Sequence, residues 1–179
     1  MSNEIERALH PVRFIKRNSR GIRLAPQRRE PTKPFEWPLR AFNDTEPRVL
    51  SAHDGERLGL DLGYTLALSD LEVPVFAVND GEVACAIEGG YGCAISLDHG
   101  GTWSTQYTGL ARLGVVRCVP KLRRREHVRA GQVIGYTSMP RIGFELWQWT
   151  DDRGFVAVDP RPHLAAWARV PSALAKEAA

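Results

Sequence analysis

Short apolar runs separated by turn residues fill the middle of the chain. In VPVFAVNDGEVACAIEGGYGCAISLDHGGTWSTQYTGL (residues 73–110) the breaks are Asn-Asp-Gly, Gly-Gly-Tyr-Gly and His-Gly-Gly, which tight turns between antiparallel strands favour. Residues 128–137, VRAGQVIGYT, read as another strand–turn–strand unit. ELWQWT (145–150) and FVAV (155–158) flank Asp151-Asp152-Arg153-Gly154 as a further hairpin. Upstream, residues 35–64 are punctuated by Pro and Asp and predict irregular chain with short strands, so the body proper should begin near Val73. Helix is expected only at RPHLAAWARV (161–170), where Pro160 and Pro162 favour a helix start, and in the Ala-rich end that Pro171 interrupts. The pattern predicts an all-β, mainly antiparallel body with a short C-terminal helix.

Composition adds boundaries to this picture. With 179 residues and 43% hydrophobic content, the chain can bury one ordinary core and carry an extension. No apolar run approaches the roughly 18 residues of a membrane helix, and the first 20 residues lack the apolar centre of a signal peptide. The expectation is no membrane insertion, no signal peptide and a protein that is cytoplasmic as synthesised. The net charge of +3 hides an asymmetry: residues 1–40 hold 10 Lys+Arg against 4 Asp+Glu, leaving 14 against 17 for the rest. Residues 1–34 therefore read as an extended basic arm. It is either a solvated tail or a segment for an acidic protein surface or nucleic acid.

Three cysteines, Cys85, Cys93 and Cys118, have no metal-ligand spacing. If ACAIEGGYGCAI (84–95) folds about Gly89, Cys85 and Cys93 sit opposite each other and could be bridged. Reduced, buried thiols are the other reading and the expected one.

Seven pieces in order resemble the lysostaphin-type (LytM-like) zinc peptidases, which cleave peptide cross-links of bacterial cell walls. FEWPL (35–39) resembles the opening segment, LGLDLGY (58–64) the His-x-Gly-x-Asp motif, and PVFAVNDGEV (74–83) the strand and turn that follow. YGCAISLDHGGTWSTQYTGL (91–110) resembles the segment ending in Tyr-x-His-Leu, VRAGQVIGYT the Gly-Gln-x-Ile-Gly turn, RIGFELW (141–147) the His-Leu-His-Phe-Glu motif, and VAVDPRPHL (156–164) the closing segment. The resemblance spans roughly residues 35–165. It implies a β-sandwich or barrel of duplicated-hybrid-motif type over residues 35–170, followed by a 171–179 tail, with Phe144 and Leu146 in its core.

What the resemblance implies about chemistry is different. The family holds Zn²⁺ with His, Asp and His and uses further histidines for proton transfer. The first ligand position here is Arg57, the Asp is retained as Asp61, the Tyr-x-His histidine is Gly109, and the last two histidines are Arg141 and Gly143. A guanidinium stays protonated and has no lone pair for a metal. His53, His99, His127 and His163 share no ligand spacing with Asp61, and the resemblance gives His99 a supporting hydrogen-bond role near a turn. The expectation is therefore a non-catalytic module with no cofactor, the alternative being a zinc-dependent peptidoglycan endopeptidase with substitute ligands.

The rebuilt groove would be formed by Arg57, Asp61, Tyr107, Arg141, Glu145, Trp147 and Trp149, with Trp103 nearby. Arg57 and Arg141 would either pair with Asp61 or offer a clamp for a carboxylate or phosphate. Lys121, Arg123, Arg124, Arg125 and Arg129 form a basic run, read as a solvated loop or an anion-binding patch. The implied partner is a protein or peptidoglycan, in the cytoplasm or as part of a phage virion or mobile element, with nucleic acid an option for the arm.

Overall fold

Eleven strands form in the computed structural model, which describes residues 34–41, 45–51, 58–64, 72–89, 92–114, 126–137 and 141–164. They are β1 (Arg48–Ser51), β2 (Leu60–Gly63), β3 (Val73–Phe76), β4 (Gly81–Gly89), β5 (Gly92–Asp98), β6 (Trp103–Leu110), β7 (Arg112–Leu113), β8 (His127–Val128), β9 (Val133–Thr137), β10 (Arg141–Thr150) and β11 (Gly154–Val158). The larger sheet runs β1-β2-β10-β6-β5-β4-β8, with β11 also paired to β10; the smaller is β3-β9-β7. Every strand pair is antiparallel.

Side chains alternate across a strand, and this decides where the core lies. Leu60 and Leu62 of β2, Ile142, Phe144 and Leu146 of β10, Tyr107 of β6 and Ile95 and Leu97 of β5 are all but inaccessible. They form one cluster with Val73 and Val75 of β3 and Ile134 of β9. Phe144 and Leu146 are thus in the core, as expected. The core also begins well before Val73. Phe35 and Leu39 are buried within it, Phe35 is bridged in parallel to Leu164, and its N–H donates to the His163 carbonyl at 3.2 Å. The Pro-rich composition of that segment disguised a core contribution made without regular structure.

Three expectations change with the register. The β4–β5 hairpin closes on the pair Gly89–Gly92, so that Cys85 faces Ser96 and Cys93 faces Glu88; the two cysteines are not opposite each other. A bulge shifts the frame only beyond them, between Val83 and Cys85. The buried Cys93 thiol lies 3.6 Å from the Ala111 carbonyl. VRAGQVIGYT does turn, at Arg129–Gln132, but its two strands part: β8 joins β4 in the large sheet and β9 joins β3 and β7 in the small one. Residues 161–163 form a turn rather than a helix start, because Arg161 is held by Asp159 and Leu164 by the bridge to Phe35. The remainder of the expected helix, the tail, the arm and Cys118 lie outside the described residues, among which there is no helix.

Because Phe35 is the first buried side chain described and Pro34 is exposed, removal of residues 1–34 should leave cooperative urea unfolding intact. Any association carried by the arm should weaken, and should already be weakened by salt in the full chain. Loss of the cooperative transition would show that the arm helps build the fold.

Candidate functional site

The larger sheet has a second face, directed away from the smaller sheet, and its residues follow from the pairing. Arg141, Gly143, Glu145 and Trp147 alternate with the buried Ile142, Phe144 and Leu146 along β10. Gly143 lies opposite Asp61 on one side and Thr108 on the other; Glu145 lies opposite Gln106, which lies opposite Ser96. Cross-strand partners share a face, and direct contacts agree. The Ser51 hydroxyl donates to Asp61 Oδ2 at 2.8 Å, and Trp147 Nε1 donates to Glu145 Oε2 at 2.9 Å. The result is a polar strip, Ser51–Asp61–Gly143–Thr108 beside Glu145–Gln106–Ser96.

This strip contains the positions at which the zinc-peptidase motif would hold its metal. Asp61 is present, but its carboxylate accepts from Ser51. Gly143 has no side chain, and a Cβ placed there would run into Thr108 Oγ1, so a side chain could enter only if the Thr108 hydroxyl turned away. Gly109 sits at φ +77°, a conformation L side chains rarely adopt. Arg141 is exposed, lies one row along opposite Gly63, and makes no ion pair with Asp61 among the described residues. The expected Arg141–Asp61 contact is therefore not made, because the register sets the arginine opposite Gly63, one row from Asp61. Arg57 lies outside the described residues. No group of three or more His, Cys, Asp or Glu side chains suited to a metal occurs among the described residues. The residues present do not fit Zn²⁺: one carboxylate, two glycines and a cation are not a donor set.

Of the expected groove residues, Glu145 and Trp147 share the polar face, and Trp149 continues it by alternation, packing edge-on against Phe155 at 5.4 Å. Tyr107 does not belong there. It points into the core, fully buried and 5.3 Å from Phe144, because alternation along β6 up to the register shift puts residues 103, 105 and 107 on the core side. Trp103 shares that side and packs against Phe35 and His163. Arg129 is exposed at the β8–β9 turn, whereas Lys121, Arg123, Arg124 and Arg125 lie outside the described residues.

His99 has a supporting role. Its Nδ1 lies 2.9 Å from the Asp80 carbonyl and its Nε2 lies 2.7 Å from Thr105 Oγ1. A carbonyl only accepts, so Nδ1 carries the proton and Nε2 accepts from Thr105. Thr105 Oγ1 is in turn 3.4 Å from the Tyr107 hydroxyl, which accepts the Val78 N–H at 3.1 Å. This network ties the β3–β4 turn to β6. Burial pushes the imidazole down to about 4, against the opposing pull of the Asp80 carbonyl and the Asp98 and Asp80 charges. Burial also raises the Tyr107 phenol.

Sequence reasoning missed Ser51, Thr108, Ser96, Gln106 and Arg48, because none stands at a fixed position of a motif; Thr108 is the variable residue of Tyr-x-His. Only the strand register brings them to the strip. Gln106 Oε1 and Ser96 Oγ are buried without a hydrogen-bond partner.

The geometry meets its relatives in comparisons with known proteins. The chain aligns with a zinc-containing peptidase from Vibrio cholerae at TM-score 0.51 and 18% identity, over 72% of this chain and 39% of that one. An M23 peptidase structure from Pseudomonas aeruginosa gives 0.51 and 18%, over 77% and 53%. The complex of SpoIIIAH and SpoIIQ contains a chain that matches at 0.52 and 20%, over 72% of this chain and 98% of that one. The chain thus spans about two-fifths to half of the two peptidases' length. No significant match occurs among curated proteins. The sequence profile of Peptidase family M23 covers residues 59–148, from the glycine before β2 to Gln148 in β10, and the chain belongs to that family.

Proposed function

We propose that this protein is a non-catalytic member of the M23 family whose polar strip binds a protein or cell-wall partner. The observation that carries the reading is at Gly143, which offers no ligand and where Thr108 Oγ1 stands in the way of a Cβ. Asp61 beside it is engaged by Ser51. A peptidase of this family needs a Lewis-acidic metal to polarise the scissile carbonyl and activate water; a lone carboxylate supplies neither function. A related fold assembles with a partner in the SpoIIIAH–SpoIIQ complex, which supports binding as a use of this framework.

The test is metal content of the purified protein together with turbidity clearance of cell-wall suspensions. Less than a tenth of an equivalent of zinc, roughly, and no clearance are expected. One equivalent of zinc, lost on Asp61→Ala and accompanied by chelator-sensitive lysis, would establish an active peptidase with substitute ligands instead.

A further inference from the structure

Arg48 and Arg141 are both paired with Gly63, one from β1 and the other from β10. Both are exposed. Residues opposite one another share a face, so both side chains emerge beside Asp61 on the polar strip, with a glycine and no side chain between them. Two neighbouring strands put their Cα atoms about 10 Å apart, a span that two arginine side chains can close onto one small group.

Their lack of carboxylate partners separates them from most arginines around them. Arg40 pairs with Glu36, Arg112 with Glu72, Arg153 with Asp152 and Arg161 with Asp159. Among the described arginines, only Arg48, Arg129 and Arg141 make no ion pair, and two of these three stand in one row over the same glycine. Two like charges so placed repel, and an anion between them removes that repulsion while satisfying both planar forks.

We infer that Arg48 and Arg141 form an oxyanion clamp that receives a carboxylate of the bound partner, either an acidic side chain or a chain terminus. This inference rests on the reading of the strip as a binding site. A monoanion is favoured over phosphate because Asp61 lies two residues from Gly63 along β2, about 7 Å away, and repels a dianion more strongly.

The experiment uses the full chain and four probes: acetyl-trialanine with a free terminus, acetyl-Ala-Glu-Ala amide, acetyl-trialanine amide and inorganic phosphate. Binding is followed by the backbone amide resonances of Gly63 and Gly143. At least one of the two carboxylate peptides should bind, which identifies the source of the carboxylate, and the neutral amide should not. Arg48→Ala and Arg141→Ala should each weaken binding about tenfold, the magnitude of one charge-assisted pair. The double variant should lose it, whereas Arg129→Ala, outside the row, should leave it unchanged. Unaltered melting of the variants confirms that the fold is intact.

Binding of the neutral amide as tight as that of the acids, binding to neither acid, or retention by the double variant would overturn the clamp. Phosphate binding tighter than either peptide would overturn the carboxylate assignment. A zinc-free, wall-inert protein that ignores all four probes would sink the clamp alone; a zinc-loaded lytic protein would sink the reading beneath it.

Discussion

Thr108→Ala should tighten zinc binding by the Arg57→His/Gly143→His chain about 10- to 100-fold. The paired replacements restore the His, Asp, His triad at the motif positions, and Asp61 already stands opposite residue 143. The obstacle is Thr108 Oγ1, which a Cβ at 143 would meet. Overpacking of this kind costs ~1–3 kcal/mol, and every 1.4 kcal/mol is a factor of ten in affinity. An intact zinc site is worth on the order of 10 kcal/mol, so the double variant should bind weakly and the triple variant well. Hydrolysis should remain absent from both, since Gly109 and Arg141 supply no histidine for proton transfer, and the positive φ at 109 resists restoring one. Calorimetric zinc titration of parent, double and triple variants decides the matter. No binding in any of them would mean that Asp61 is not at the ancestral metal position.

Acidification should destabilise the fold through His99, by about 3 kcal/mol between pH 6.5 and pH 4. The folded imidazole sits near pH 4 because burial opposes its charge, against about 6.5 in an unfolded chain. Above the unfolded value both states are neutral and the stability is fully present. As pH falls below it, the unfolded chain takes up a proton that the folded one refuses, at up to ~1.4 kcal/mol per pH unit, until the folded value is reached. Protonating Nε2 would also set two donors, the new N–H and the Thr105 hydroxyl, against each other. Urea unfolding at pH 7.5, 6, 5 and 4.5 measures the slope. His99→Gln should be less stable at pH 7.5 but show a shallower loss with acid. A parallel slope in the variant would assign the acid sensitivity to the carboxylates instead.

Much of the architecture was legible along the chain. The turn residues after Val78, after Asp98 and at Asp151–Gly154 demand reversals, and the period-two burial of β10 is visible in Arg141–Leu146 as alternation of apolar and small or charged residues. The failures have a common cause. Symmetry about Gly89 would set Cys85 opposite Cys93, yet the hairpin is centred between residues 90 and 91, and this displacement alone gives each cysteine a different partner. Tyr107 enters the expected groove as part of the Tyr-x-His frame, two residues before Gly109. A register shift between the pairs Ile95–Tyr107 and Cys93–Leu110, with positive φ at Gly109, breaks the alternation between the two positions and leaves Tyr107 on the core side.

The sequence by itself determined the all-β class, the order of the motif pieces and the residue types Arg57, Gly109, Arg141 and Gly143 at the positions where the resemblance expects histidine, since those are properties of residue type and local spacing. Tertiary structure alone decided what stands around those positions. Thr108 crowds the Cβ position of residue 143, Ser51 engages Asp61, and Arg48 joins Arg141 over Gly63 because antiparallel register brings together residues that lie between 10 and 93 positions apart. Each of these contacts changes face or partner with a one-residue slip, and no local pattern records the register that prevents it.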